Sequence, residues 1–417
     1  MDIFKNPHFI IIKDTNSFIF YNSCQHFVCR ISELDLSIFN LIYLHRNLLE
    51  ITKHINSKYI DYVKSVYDTV IKYNVLSTNE EKTGTNAPIS KCFYLHLTYH
   101  CNLNCIYCYN KSIRKNISEI NLSKWKIIIT KVLPLAKEIT ITGGEPFLSP
   151  ILPQIIEFIK NNKPSISIGI ISNCMTDFET YNFSDIVFNN IDNVIFSCDN
   201  LSGIHQPRVN FNSKLFKHNI RFLRKKYTNL DITISSVLSN KNLYEIEDIK
   251  KFSIKESVKF RSVLIVPNTK SEIRLLPSIK QYKRFLPTGQ YPLNKFRIYC
   301  GAGMGVLSID PLGNVFPCQS LHYKQFKLGN LLYNPINSIL SNNILEDIKE
   351  NFSVDNIPIC KNCNVRYICG AGCRAATLKM EGKAMSYPKT LCKYYRMSAL
   401  NRLKRIPFLS DINLYKQ

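Results

Sequence analysis

The sequence predicts an α/β protein: a partial (β/α)6 barrel of the TIM type, preceded by a winged-helix-like unit and followed by a cysteine-rich unit. Three observations carry this prediction. Strand-like and helix-like segments alternate through residues 92–286. Three short apolar strands precede three helical stretches within residues 1–80. Seven of the fifteen cysteines lie beyond residue 290, among turns and short strand candidates that run to about residue 400. At roughly 100–200 residues per domain, 417 residues accommodate these three units.

In the first unit, "HFIIIK" and "SFIFY" flank the polar turn "DTN", and "FVCRI" reads as a third strand. Ser32 and Asp35 have capping-box spacing ahead of "LSIFNLIYL", whose apolar stripe is helical. Further helical segments lie near 47–56 and 59–75, and the polar "STNEEKTGTNAPIS" reads as a linker. Strand candidates then follow at 92–98, 138–142, 165–171, 193–198, 230–237 and 258–266. Amphipathic stretches at 122–135, 152–161, 214–227 and 243–252 separate them, which implies a parallel sheet. Six such units fall short of an eight-fold barrel. The chemistry is expected on loops at the C-terminal strand ends.

The formal net charge is +23, which suggests nucleic acid as a first partner. The basic residues are dispersed, however, with only short runs such as "RFLRKKY" at 221–227. The third helical segment, "YIDYVKSVYDTVIKY", has no Arg and sets Asp61 and Asp68 against its lysines, which is poor for reading DNA. An acidic peptide fits the same charge. No apolar run reaches the ~18 residues of a membrane span. The start "MDIFKNPHFI" lacks the pattern of a signal peptide, so the cytoplasm is the expected location. In a reducing compartment the cysteines should be thiols or metal ligands.

"LTYHCNLNCIYCYN" places Cys101, Cys105 and Cys108 directly after the first barrel strand. Structural zinc wants four closed ligands, commonly from C-x2-C pairs. A four-iron cubane normally takes four thiolates, so three leave one iron open to a small molecule. The second barrel strand ends in Gly143, Gly144, Glu145 and Pro146. There the glycines permit close backbone approach and Glu145 offers an acceptor to an ammonium. Farther on, Cys300, Cys318, Cys360, Cys363, Cys369, Cys373 and Cys392 leave two readings open, a zinc ribbon over 360–373 and an iron–sulfur unit. Cys24, Cys29, Cys92, Cys174 and Cys198 are expected to be buried free thiols.

The spacing of the three-cysteine loop, with Tyr107 before its last Cys, resembles the signature of the radical S-adenosylmethionine (SAM) enzymes. The resemblance implies that a [4Fe-4S] cluster on Cys101, Cys105 and Cys108 chelates SAM and cleaves it to a 5′-deoxyadenosyl radical. It implies SAM contacts from Tyr107, from Gly143, Gly144 and Glu145 at the amino group, and from Ser172 and Asn173 of "IISNCM", where Cys174 replaces a usual Gly. Ser197 and Arg208 of "FSCDNLSGIHQPRV" would contact the SAM carboxylate, with Val209 in place of a usual Gly. Strand-end capping is the plain alternative for Ser197 and Asp199. The order of the last seven cysteines resembles the SPASM extension, which binds two auxiliary clusters and brings the expected total to three [4Fe-4S] clusters. By position, Cys360, Cys363, Cys369 and Cys392 would close the outer one, and Cys300, Cys318 and Cys373 would hold the inner one. The inner cluster would then keep an iron free for a substrate thiolate, unless an Asp, a His or water fills that place.

The first unit, so placed, resembles the PqqD-like elements that bind a leader peptide as a strand beside the third strand and against the third helix. The whole is similar to sactipeptide synthases. That implies a maturase which installs a thioether in a ribosomal precursor peptide and draws electrons from a donor such as flavodoxin or ferredoxin. Carbon–carbon cross-linking, oxidation of a protein residue, a metal-binding DNA regulator and a structural zinc protein are the alternatives.

Overall fold

The structure, a computed structural model, describes residues 3–6, 8–22, 24–25, 27–78, 92–111, 118–203, 207–288 and 297–409. The expected linker therefore lies outside the described residues from position 79 onward. The first unit is an antiparallel meander of β1 (Phe9–Asp14), β2 (Ser17–Asn22) and β3 (Phe27–Ile31), then helices α1 (Glu33–His45), α2 (Leu48–Lys53) and α3 (Ile60–Lys72). The expected capping box starts α1. Ser32 Oγ accepts from the Asp35 N–H at 3.0 Å, and the Asp35 carboxylate accepts from the Ser32 N–H at 2.8 Å. Side chains alternate across a strand, so the small sheet has two apolar faces. Phe20, Phe27, Cys29 and Ile31 pack on the helices. Ile19, Tyr21 and Val28 pack instead on the far C-terminal part of the chain.

The barrel strands are β4 (Cys92–Thr98), β6 (Glu138–Gly143), β7 (Ser167–Ser172), β8 (Asn193–Ser197), β10 (Asp231–Leu238) and β11 (Lys259–Leu264). Two-residue strands β5 (Asn104–Cys105) and β9 (Arg208–Val209) pair with each other above them. Helices α4 (Leu122–Val132), α5 (Leu152–Asn162), α6 (Ser184–Phe188), α7 (Ser213–Lys226), α8 (Leu243–Lys255) and α9 (Ile279–Lys283) belong to this part of the chain. All six expected strands form, and they pair in parallel in chain order. While β11 at the sheet edge is exposed on alternate residues, the apolar residues of β4, β6, β7, β8 and β10 fill the core, as parallel strands require. The only Trp, Trp125 on α4, is fully buried among them.

The last third departs from the expectation of short strands and turns. After β12 (Val306–Ile309), β13 (Asn314–Phe316) and β14 (Gly329–Asn330) it is mostly helical: α10 (Ile336–Leu340), α11 (Asn343–Asn351), α12 (Arg366–Cys369), α13 (Arg374–Glu381) and α14 (Cys392–Leu403). It is also not a separate layer. β12 pairs in parallel with β4, and β13 and β14 continue antiparallel, so one nine-stranded sheet runs through the barrel and the cysteine-rich unit. The chain then returns to its beginning, where the Arg30 N–H on β3 donates to the Pro407 carbonyl at 3.0 Å. The outer edge of β3, expected to be open to a leader peptide, is in part taken by the chain itself. Among the described residues no helix is long and apolar enough to cross a membrane.

Ile129 of α4 is fully buried in the barrel core beside the same helix's Trp125. Ile129→Ala should destabilise the barrel by about 2–5 kcal/mol. Urea unfolding followed by Trp125 emission should show the midpoint fall.

Candidate functional site

The loop after β4 is pinned before it reaches its thiols. Thr98 Oγ1 and the Tyr99 N–H both donate to Glu119 Oε1 at 2.8 Å. The Gly144 N–H donates to the Thr98 carbonyl at 2.7 Å, and the Glu145 N–H donates to the His100 carbonyl at 2.8 Å. Gly143 has φ 128°, and a Cβ there would overlap the Thr98 carbonyl; a Cβ on Gly144 would overlap that of His100. Only glycine lets the end of β6 lie this close to the cysteine loop. The β5–β9 pairing then sets Cys105 opposite Arg208.

Cys101, Cys105 and Cys108 line a cavity of about 300 Å³ at the C-terminal ends of the strands, where barrel chemistry is expected. Tyr107, Gly143, Gly144, Ser172, Asn173, Ser197 and Arg208 line it too. Asn173 Nδ2 lies 3.6 Å from Cys101 Sγ and donates to Asn102 Oδ1 at 2.7 Å. Cys174 adopts φ 64°, the left-handed conformation natural to glycine, so the turn keeps its shape at a cost of about 1–2 kcal/mol.

Glu145 is the exception. Its side chain is fully buried and does not line the cavity. Its carboxylate accepts from Ser172 Oγ at 2.8 Å, the Asn173 N–H at 2.7 Å and the Phe147 N–H at 3.2 Å. This carboxylate, expected to accept from an ammonium, also fixes Ser172 and Asn173. Burial pushes its pKa up to about 7 despite three donors that favour the charged form.

Sequence reasoning missed the partner of Arg208. Arg208 Nε lies 3.0 Å from Asp199 Oδ2, Nη1 lies 3.7 Å from Cys105 Sγ, and the guanidinium carbon is 5.5 Å from the Tyr107 ring centroid. Asp199, read as a strand-end cap, does accept from the Val237 N–H at 2.7 Å, and it also anchors this arginine. Burial pushes the Cys105 thiol up to about 11, while the Arg208 cation pulls the other way. Lys379, from α13, was also missed. It lines the same cavity and donates to Asn268 at 2.7 Å, and burial lowers its pKa. No local motif marks it, because its bonding partner Asn268 lies 111 residues away.

Cys360, Cys363, Cys369 and Cys392 line a cavity of about 680 Å³. Cys300, Cys318 and Cys373 line another of about 720 Å³, to which Cys369 also contributes. Buried Arg374 donates to the carbonyls of Ala371, Ala384 and Ser386, fixing the chain next to Cys373. Burial raises Cys318 to about 12, and Cys360 and Cys369 to about 11. Of the other five thiols, Cys24, Cys29, Cys174 and Cys198 are buried and Cys92 is partly so. Among the described residues no three His, Cys, Asp or Glu side chains meet around a single-ion point. A cubane, whose thiolates attach at separate corners, does not require that. The 720 and 300 Å³ cavities share a wall of Val263, Leu264, Val266, Ser320, Cys373 and Ala375.

These residues fit an iron–sulfur cluster with a small ligand on it. There are three thiols, a buried cation beside one of them, and a glycine cradle. The buried Tyr107 hydroxyl has no hydrogen-bond partner among the described residues. Residues 95–263 match the radical SAM superfamily, and residues 300–364 match the iron–sulfur cluster-binding domain called SPASM. The chain is a radical SAM enzyme with a SPASM domain.

Relatives of this radical SAM–SPASM chain include AlbA, the antilisterial bacteriocin subtilosin biosynthesis protein of Bacillus subtilis (strain 168). AlbA is 24% identical over 66% of this chain and 66% of its own. TigE, a radical SAM cyclopropyl synthase of Paramaledivibacter caminithermalis, is 24% identical over 95% of this chain and 94% of its own. Among solved structures, Streptococcus suis SuiB bound to its precursor peptide SuiA aligns with a TM-score of 0.57. That alignment has 13% identity and covers 93% of this chain and 99% of SuiB.

Gly144→Ala should push the cysteine loop away from β6, an overpacking cost of about 1–3 kcal/mol. In the reconstituted protein, equilibrium dialysis should find SAM affinity lowered by roughly tenfold or more, with the total iron content unchanged.

Proposed function

We propose that this enzyme matures a ribosomally made precursor peptide and closes a sulfur-to-carbon thioether within it. The observation that carries this reading is the wall shared by the two cavities. Cys373 belongs to the thiol group of one and faces the cavity of the other. A peptide in the larger cavity would therefore lie between Cys101, Cys105 and Cys108 on one side and Cys300, Cys318 and Cys373 on the other.

A four-iron cluster with SAM at its open iron supplies, when bound, a 5′-deoxyadenosyl radical able to take hydrogen from carbon. The chain's own residues prepare that site. Cys101, Cys105 and Cys108 would hold the cluster, with the Arg208 cation beside Cys105 offsetting negative charge in a buried place. Gly143 and Gly144 admit the ligand against backbone. Ser172 and Asn173, fixed by Glu145, and Ser197 and Arg208 would orient its polar groups, and Tyr107 would offer its free hydroxyl. Cys360, Cys363, Cys369 and Cys392 would close an outer cluster, making three in all. Cys300, Cys318 and Cys373 would hold an inner cluster with a place left for a substrate thiolate, which favours thioether closure. A small donor such as flavodoxin or ferredoxin would supply electrons. The N-terminal unit, with its three strands and three helices, would serve as a PqqD-like holder of the leader. AlbA belongs to biosynthesis of a bacteriocin, and SuiB is seen with its precursor peptide; both support a peptide substrate.

Carbon–carbon bond formation is the second reading. The alignment with TigE, a cyclopropyl synthase, spans nearly the whole chain, whereas that with AlbA stops at 66%.

Anaerobic reconstitution should give about twelve irons per chain, from three four-iron clusters. Cys105→Ala should abolish release of 5′-deoxyadenosine. Cys369→Ala should keep that release and lose the mass change in the peptide, read by mass spectrometry after co-expression. About four irons per chain would remove the auxiliary clusters. A product in which a cysteine sulfur stays free would move the reading to carbon–carbon chemistry.

A further inference from the structure

β3 is an outer strand of the N-terminal sheet, and α14 delivers the last described residues to it. Arg30 and Phe408 form a parallel bridge, with the Arg30 N–H donating to the Pro407 carbonyl at 3.0 Å. Arg30 Nη2 donates to the Leu403 carbonyl at 3.0 Å, and its guanidinium carbon lies 5.6 Å from the Phe408 ring centroid. Nη1 is held by Asp14 at 2.6 Å and Ser17 at 2.7 Å, which keeps the arginine in place as a fixed receptor. Leu409 is 3% exposed and joins the apolar group that contains Cys29 and Ile31 of β3 and Val66 and Val70 of α3. Ile406 goes to the opposite face, among the residues packed between the N-terminal sheet and the C-terminal helices.

The segment thus touches β3 at one bridge, through Phe408, with Leu409 as an apolar anchor against α3. Its hold on the strand is slight. One backbone bond joins it to β3 among the described residues, whereas β2 pairs with five residues of β3. Phe408 remains 41% exposed. An apolar extended peptide would use the same outward backbone groups and the same pocket. A segment tethered to its own receptor competes at an effective concentration of order millimolar.

We infer that Ile406–Leu409 is a strap that occupies the docking edge of the N-terminal unit, and that the leader of the precursor peptide displaces it on binding. The inference rests on reading that unit as the leader holder. It also gives the chemistry of the leader: an extended segment with a leucine-like side chain for the pocket beside Cys29 and Ile31.

Hydrogen exchange on the full-length, reconstituted chain tests this, with the small peptide encoded beside its gene as probe. On saturation, amides of 404–409 should lose protection while those of β3 keep theirs. Leu409→Ser should bind the same labelled peptide about tenfold tighter by fluorescence polarisation, because the tethered competitor is weakened. Peptide binding that leaves 404–409 protected, with no gain from Leu409→Ser, would overturn the strap and leave leader docking intact. The segment would then only cover a sheet edge. If neither parent nor variant binds the peptide, the leader-holder reading fails, and the strap with it.

Discussion

A single buried arginine ties the barrel mouth together. Arg208 reaches Asp199 at the end of β8, Cys105 in the loop after β4 and the face of Tyr107. A guanidinium taken out of water needs a counter-charge, and Asp199, itself buried, provides it. The pair fixes a cation beside a thiol whose pKa burial pushes up and the cation opposes. That combination suits an anionic metal–sulfur cluster better than a free cysteine. The β5–β9 ladder exists to hold it: two residues on each strand are enough to set Cys105 against Arg208.

From that point the architecture extends sideways through one sheet. Because β12 pairs with β4, the strand that leads into the cysteine loop also carries the C-terminal unit. A rigid shared sheet keeps the second and third thiol groups in register with the first. Buried Arg374, donating to three carbonyls, does the same locally next to Cys373. The N-terminal sheet closes the circuit by packing Ile19, Tyr21 and Val28 on the helices that present Cys369 and Cys392. The N-terminal sheet therefore packs directly beside the outer thiol group.

Much of this was legible in the chain. The inner barrel strands stood out because strands buried on both faces read as continuous apolar runs, and helices separate them at regular intervals. Cysteine spacing set Cys101, Cys105 and Cys108 apart from the seven later cysteines, which line two further cavities. The capping box at Ser32 was visible because its two residues are neighbours. What failed to show was long-range or hidden by brevity. "VLSI" is too short to announce that it joins β4. The helices of the last third are mostly short, so their periodicity is weak. Asp199 and Arg208, or Lys379 and Asn268, meet only in three dimensions. The bonds of Glu145 to Ser172 and Asn173 did not show because a motif gives a residue's position along the chain and not the direction of its side chain. The return of residues 406–409 to Arg30 leaves no trace in local pattern at all.

The most direct test of the central claim is electron paramagnetic resonance of the reduced, oxygen-free protein with and without SAM, compared with Cys105→Ala. A three-thiolate cluster with an open iron predicts that SAM shifts part of the parent's iron–sulfur signal, and that this component and its shift are both missing in the variant. A parent signal unmoved by saturating SAM, or one that moves equally in Cys105→Ala, would contradict it.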